Sequence, residues 1–341
     1  PGEVGVDVFG NPAPIADEEG GALHLLFTRN NSWARQRKVF YMRTLDLGET
    51  WSEARNITGQ VKRPGWGWMA TGPNHGTRLR SGRLAVPFNT FLAESSATMS
   101  ATQSGCAAID ECAAYAPPAS RALSVSLTVR NLGDPTEPPL HGHVDGAIAP
   151  SPFAFAGNRA GVLYSDDGGG TWRLGGQVND FLGSSECVVE EVVRGGATEL
   201  LLSFRAEDGL AQGCRRMARS ADGGLTWQPH FRPSVGPGCL PDPTCQGSLL
   251  AIAGGRLLLA SGPGSSKLRT LLSVHASADG GETFQRVATL PDVVGMYSDL
   301  ALVGESSTGW RVGLLAELGG GLSFLAVEVP RSLLPPGAVV V

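Results

Sequence analysis

Apolar residues gather in short, nearly unbroken runs: Ala22-Leu-His-Leu-Leu-Phe27, Arg83-Leu-Ala-Val-Pro87, Leu200-Leu-Leu-Ser-Phe204, Arg256-Leu-Leu-Leu-Ala260 and Trp310-Arg-Val-Gly-Leu-Leu315. Runs of this length without polar alternation read as strands buried on both faces, the inner strands of sheets packed face to face. Between them the chain is rich in turn formers, with 47 glycines and 23 prolines in 341 residues. That usage is well above average and predicts many turns and short strands, hence an all-β protein.

Punctuating the strands is an eight-residue pattern, Ser/Thr-x-Asp-x-Gly-x-Thr-Trp/Phe, found at Thr44 to Trp51, Ser165 to Trp172, Ser220 to Trp227 and Ser277 to Phe284. Its side chains suit a hairpin corner: the hydroxyl and the aspartate bond nearby N–H groups, glycine supplies a positive φ, and the aromatic packs between strands. Asp46, Asp167, Asp222 and Asp279 are therefore read as structural. The last three aspartates lie 55 and 57 residues apart, close to the length of a four-stranded propeller blade. Counting outwards from the corners gives about five blades in a single domain over residues 1–341. Residues 91–150 hold no corner pattern but Ala/Ser-rich sequence, Cys106, Cys112 and a Pro-rich stretch from Pro135 to Pro139, and read as an irregular insertion between blades.

Bulk properties exclude several classes. The net charge is −5 and no basic run exceeds two residues, so the footprint of a nucleic-acid binder is absent. No apolar stretch approaches the roughly 18 residues of a membrane span. No metal-ligand spacing, phosphate loop or nucleotide fingerprint occurs, so no cofactor and no metal are implied; His141 and His143 form an H-x-H pair with no acid or cysteine near it. Six cysteines allow small loops closed by Cys106/Cys112 and Cys239/Cys245, and a bridge between Cys187 and Cys214 on neighbouring strands. Two glycosylation sequons, at Asn30 and Asn56, tilt the localisation towards the secretory pathway. The opening residues, Pro-Gly-Glu-Val, carry neither an initiator Met nor a signal peptide, and the chain reads as a piece of a longer protein.

The four corner patterns, with three further stretches, resemble the sialidase (neuraminidase) superfamily of six-bladed propellers. Ser185-Glu186-Cys-Val-Val-Glu190, followed nineteen residues on by Arg205, is similar to the family segment carrying the base and a carboxylate-binding arginine. Arg269, in Ser266-Lys-Leu-Arg269, resembles another arginine of that triad, and Tyr297-Ser-Asp-Leu300 the nucleophile motif. Glu317, in Leu314-Leu-Ala-Glu317, resembles the acid that holds the remaining arginine. Cys245-Gln-Gly-Ser248 and Thr71-Gly-Pro-Asn-His75-Gly are further matches without a chemical assignment. The resemblance implies a retaining exo-α-sialidase with Tyr297 and Glu186 catalytic, Arg205, Arg269 and Glu317 binding substrate, and sialylated glycoproteins, glycolipids or oligosaccharides as substrates. The residue chemistry agrees: a phenol needs a base to become a nucleophile, and a neutral attacker suits an anomeric carbon that already bears a carboxylate.

The family's opening Tyr/Phe-Arg-Ile-Pro motif and its acid/base aspartate have no counterpart here, while Asn11-Pro-Ala-Pro-Ile-Ala-Asp17 resembles the start of the second blade. Arg29 is not the missing arginine, since no aspartate follows it before Asp46 of the corner. The 341 residues are accordingly expected to lack the first blade and to be inactive, or nearly so, alone. A trans-sialidase would share every residue named, and a non-catalytic propeller that binds glycans or proteins is the alternative from another class.

Overall fold

The computed structural model describes residues 7–31, 37–92, 126–129, 140–143, 158–178, 183–206, 213–230, 238–290, 294–318 and 321–334. They form five antiparallel sheets arranged as the blades of a β-propeller. Blade one holds β1 (Asp7–Asp17), β2 (Ala22–Asn31), β3 (Lys38–Thr44) and β4 (Arg55–Asn56), followed by a single helical turn α1 (Thr58–Val61). Blade two begins with β5 (Trp66–Thr71), β6 (Thr77–Arg78) and β7 (Leu84–Leu92). A separate pair, β8 (Ser126–Val129) with β9 (Leu140–His143), comes next, and then β10 (Asn158–Ser165) and β11 (Arg173–Gln177) rejoin blade two.

Blade three is β12 (Ser184–Arg194), β13 (Ala197–Ala206), β14 (Arg216–Ser220) and β15 (Gln228–His230). Blade four is β16 (Ser248–Ile252), β17 (Leu257–Pro263), β18 (Leu272–Ser277) and β19 (Gln285–Thr289). Blade five has three strands, β20 (Gly295–Glu305), β21 (Gly309–Leu318) and β22 (Gly321–Pro330). The number of blades agrees with the count made from the corners.

The five apolar runs become β2, β7, β13, β17 and β21, each the second strand of its sheet and flanked on both edges. Their lack of alternation has a plain cause in β13. Leu200, Leu202 and Phe204 pack with Ala160 and Val162 of blade two, while Leu201 packs with Leu249 and Leu258 of blade four. Both faces of β13 are buried because blade three is sandwiched between blades two and four.

β7 and β10 pair along their whole length, Phe91 opposite Asn158 and Leu84 opposite Ser165. The long excursion thus leaves and re-enters the same sheet, and does not lie between blades as expected. Most of residues 91–150, including Cys106 and Cys112, lie outside the described residues.

All four corners join the last two strands of their blades. In blade three Ser220 Oγ donates to Asp222 Oδ1 (2.7 Å) and accepts from Gly224 N (2.8 Å), while Thr226 donates from N (2.9 Å) and Oγ1 (2.6 Å) to the two carboxylate oxygens. The other three corners repeat this arrangement. Each corner in blades two to four is gripped by an arginine of the preceding blade: Arg55 donates to Gly169 O and Gly170 O, Arg83 to Gly223 O and Arg219 to Gly280 O. The closing aromatics Trp172, Trp227 and Phe284 are buried, whereas Trp51 of the first corner is 37% exposed.

Cysteine pairing departs from expectation. Cys214 bonds Cys239, while Cys187 and Cys245 are free and buried. Sequence spacing does not reveal which way a side chain faces. Cys187 points into the core between blades two and three and its thiol meets Phe88 O at 3.3 Å. Cys214 and Cys239 flank two backbone segments that run side by side, since Cys214 bridges Pro241 and Arg215 N donates to Leu240 O.

Candidate active site

One irregularity recurs in the first strand of four blades. Between Ser184 and Cys187 of β12, two residues oppose a single residue of β13, so Ser185 and Glu186 face Arg205. In β20 the same shift puts Met296 and Tyr297 opposite Glu317, in β1 it puts Asn11 and Pro12 opposite Phe27, and in β5 Gly67 and Trp68 opposite Phe91. A bulge of this kind bends the strand and re-aims its side chains. Four sequence-predicted residues, Glu186, Arg205, Tyr297 and Glu317, therefore occupy equivalent places in two blades.

They meet. Tyr297 Oη donates a hydrogen bond to Glu186 Oε1. Arg205 Nη1 donates to Glu186 Oε2 at 2.9 Å and lies 3.5 Å from the Tyr297 hydroxyl. Glu317 accepts from the Tyr297 backbone N–H at 3.4 Å, the contact its place opposite the bulge provides. Burial is the main cause that holds the Tyr297 phenol above its ordinary pKa of 10.0, and the neighbouring Glu186 charge adds to it. The phenol thus rests protonated, with the acceptor for its proton already in contact.

Arg269 lies on the loop before β18. Its Nη2 donates to Thr244 O at 2.8 Å. The next residue, Cys245, lies within electrostatic reach of Arg269, Arg215, Glu186 and Tyr297. Burial raises the Cys245 thiol to about 11, so it stays neutral. Arg215, which spacing did not single out, is pinned by Ser203 Oγ (2.8 Å) and Cys245 O (2.8 Å), with the buried Asp242 at 3.8 Å.

Behind Tyr297 its strand is held from two sides. Gln246 donates from Nε2 to Ser298 O (2.9 Å) and accepts from Ser298 N (2.8 Å), so one amide side chain serves as a strand neighbour. Ser248 Oγ donates to Asp299 Oδ1 at 2.6 Å. The Cys245-Gln-Gly-Ser248 stretch, singled out without a role, is thus a support for the tyrosine strand. Glu190, the last residue of the Ser185–Glu190 motif, faces His75.

The model of the BNR repeat-like domain family matches residues 110–307. A sialidase of Bacteroides fragilis is 26% identical over 248 residues, 71% of this chain and 32% of that protein. Human Sialidase-3 is 26% identical over 256 residues, 71% of this chain and 46% of that protein. The chain thus spans less than half the length of these relatives. Among solved structures, a Hadza microbial sialidase superposes with a TM-score of 0.65 at 24% identity, covering 95% of this chain and 53% of that one.

Proposed function

The chain belongs to the BNR repeat-like family of sialidase-superfamily β-propellers, and on that premise we propose that its site removes terminal sialic acid by a retaining double displacement through Tyr297. The observation that carries the proposal is the hydrogen bond from Tyr297 Oη to Glu186 Oε1, with Arg205 on the other carboxylate oxygen. In the first step Oη bonds to the anomeric carbon as its proton passes to Glu186 and the bond to the aglycone breaks. In the second, water attacks the same carbon and loses a proton to solvent, while the phenolate leaves and takes back its proton from Glu186. Arg205 and Arg269 pair with the sialic carboxylate, which in turn offsets the positive charge developing at the anomeric carbon.

Departure of the aglycone needs an acid, and the aspartate that the family resemblance calls for matches no residue of this sequence. General acid help is typically worth about 10²- to 10⁴-fold. The 341 residues are accordingly expected to cleave sialosides weakly; robust turnover of a fluorogenic sialoside by the chain alone would contradict this part.

A probe that needs no acid isolates the nucleophile. A 2,3-difluorosialic acid expels its anomeric fluoride without protonation, so the chain is expected to acquire one sialyl adduct on the peptide bearing Tyr297, read by mass spectrometry. Tyr297→Phe should acquire none and Glu186→Gln should react at least ~100-fold more slowly, the effect of losing a positioned base. Retention of sialosides by wild-type protein that never becomes labelled would favour a binding propeller instead.

A further inference from the structure

His75 lies on the loop between β5 and β6 of blade two, yet both of its ring nitrogens contact other blades. Nδ1 lies 2.8 Å from Asp299 Oδ1 on β20 of blade five, and Nε2 lies 3.0 Å from Glu190 Oε1 on β12 of blade three. Its backbone N–H donates to Asp299 Oδ2 at 3.1 Å. Asn74 Nδ2 and Ser248 Oγ donate to Asp299, and Thr77 Oγ1 donates to Glu190. The two titratable groups facing the imidazole are the carboxylates of Asp299 and Glu190.

The two strands it joins carry the reacting pair. Asp299 is two residues beyond Tyr297 on β20, and Glu190 is four beyond Glu186 on β12. Even spacing along a strand places residues on one face, about 3.3 Å per residue apart. β16 separates these strands in the blade order, so no ladder hydrogen bond fixes their distance where Tyr297 meets Glu186.

We propose that His75 is a positioning residue: by bridging Asp299 and Glu190 it sets the spacing of β20 and β12, and through it the contact of Tyr297 with Glu186. The bridge is strongest when the imidazole is doubly protonated, because both nitrogens then donate to carboxylates. The two carboxylates hold the His75 pKa well above its ordinary 6.5 against the opposing effect of burial. A raised folded-state pKa means that the bridge contributes fully below about pH 6.5 and is lost as pH rises through that raised value. This role rests on the proposed function for its meaning, but its test does not need turnover.

The full chain labelled with 3-fluorotyrosine reports the contact by fluorine NMR. The Tyr297 signal is assigned by its loss in Tyr297→Phe, and Glu186→Gln fixes where it falls when the carboxylate is gone. In His75→Gln the signal is expected to move most of the way to the Glu186→Gln position. A folded His75→Gln protein whose signal coincides with wild type would overturn the proposal. If His75→Gln does not fold, wild-type protein titrated to alkaline pH decides. A Tyr297 signal moving in step with the His75 ring protons supports the bridge, and one that stays fixed while His75 titrates sinks it. Should the difluoro probe label no tyrosine, the sialidase reading fails while the fluorine result stands. With labelling, His75→Gln should lower the labelling rate by ~100-fold, the scale of a roughly 1 Å misplacement, with little change in the concentration giving half-maximal rate.

Discussion

Leu47 shows how a single residue departs from the rule its neighbours obey. The fourth position of the corner pattern has a positive φ, 59° at Leu47 against 63°, 71° and 73° at Gly168, Gly223 and Gly280. A leucine there is strained, and its side chain is 98% exposed. Left-handed backbone disfavours a non-glycine residue by about 1–2 kcal/mol, partly offset by the entropy glycine loses on folding. Leu47→Gly is therefore expected to stabilise the chain by about 0.5–1 kcal/mol, seen as a higher denaturant midpoint with unchanged slope. At this scale residues of unusual chemistry were legible as candidates, and the structure brings three of them, Tyr297, Glu186 and Arg205, into contact. His75 was noticed but had no role, because its partners stand 115 and 224 residues away. The cysteines misled, since pairing depends on which face each side chain takes.

The corner is the smallest element whose physics can be tested as a unit. Burial is the largest single influence on Asp222 and raises its pKa, but the hydrogen bonds from Thr226, Ser220 and nearby backbone together outweigh it and hold the value at about 2; hydrogen bonds likewise hold Asp167 and Asp46 at about 2. A depressed folded-state pKa contributes stability above the ordinary carboxylate value, and that stability is lost as pH falls from about 4 towards 2. Circular dichroism should accordingly record an acid transition in that window. The triple replacement of Asp46, Asp167 and Asp222 by Asn is expected to be less stable at neutral pH and to show a much flatter acid limb. The corner's internal bonding could be derived from its residue types, but the arginines that clasp it could not. Arg55, Arg83 and Arg219 share no spacing to the carbonyls they grip, and only the stacking of blades brings them there. The bulges were equally hidden, because they are a mismatch between two strands and neither strand records it alone.

At the scale of the molecule, the two end blades differ from the three between them. Val303, Leu315, Leu322 and Phe324 are exposed on blade five, with the Phe324 ring and Val303 closing over Gly313, and Val8 and Phe9 are exposed on blade one. Contiguous apolar surface of this sort promotes association. Light scattering of the chain should rise with concentration, and the pair Leu322→Glu and Phe324→Lys should suppress it; scattering unchanged by that pair would place the sticky surface elsewhere. The all-β class and the five blades were legible because the corner repeats at blade length, whereas the split within blade two was not, since nothing in β7 says that its neighbour arrives late. That split has a consequence for how the protein is made. A ribosome that has just released Leu92 must add about 65 residues, several seconds of synthesis at roughly 5–20 residues per second, before Asn158 can pair with Phe91. During that interval β7 offers an unsatisfied edge while blade one is already complete, so the nascent chain has a vulnerable window there whose length is set by how fast the excursion is synthesised.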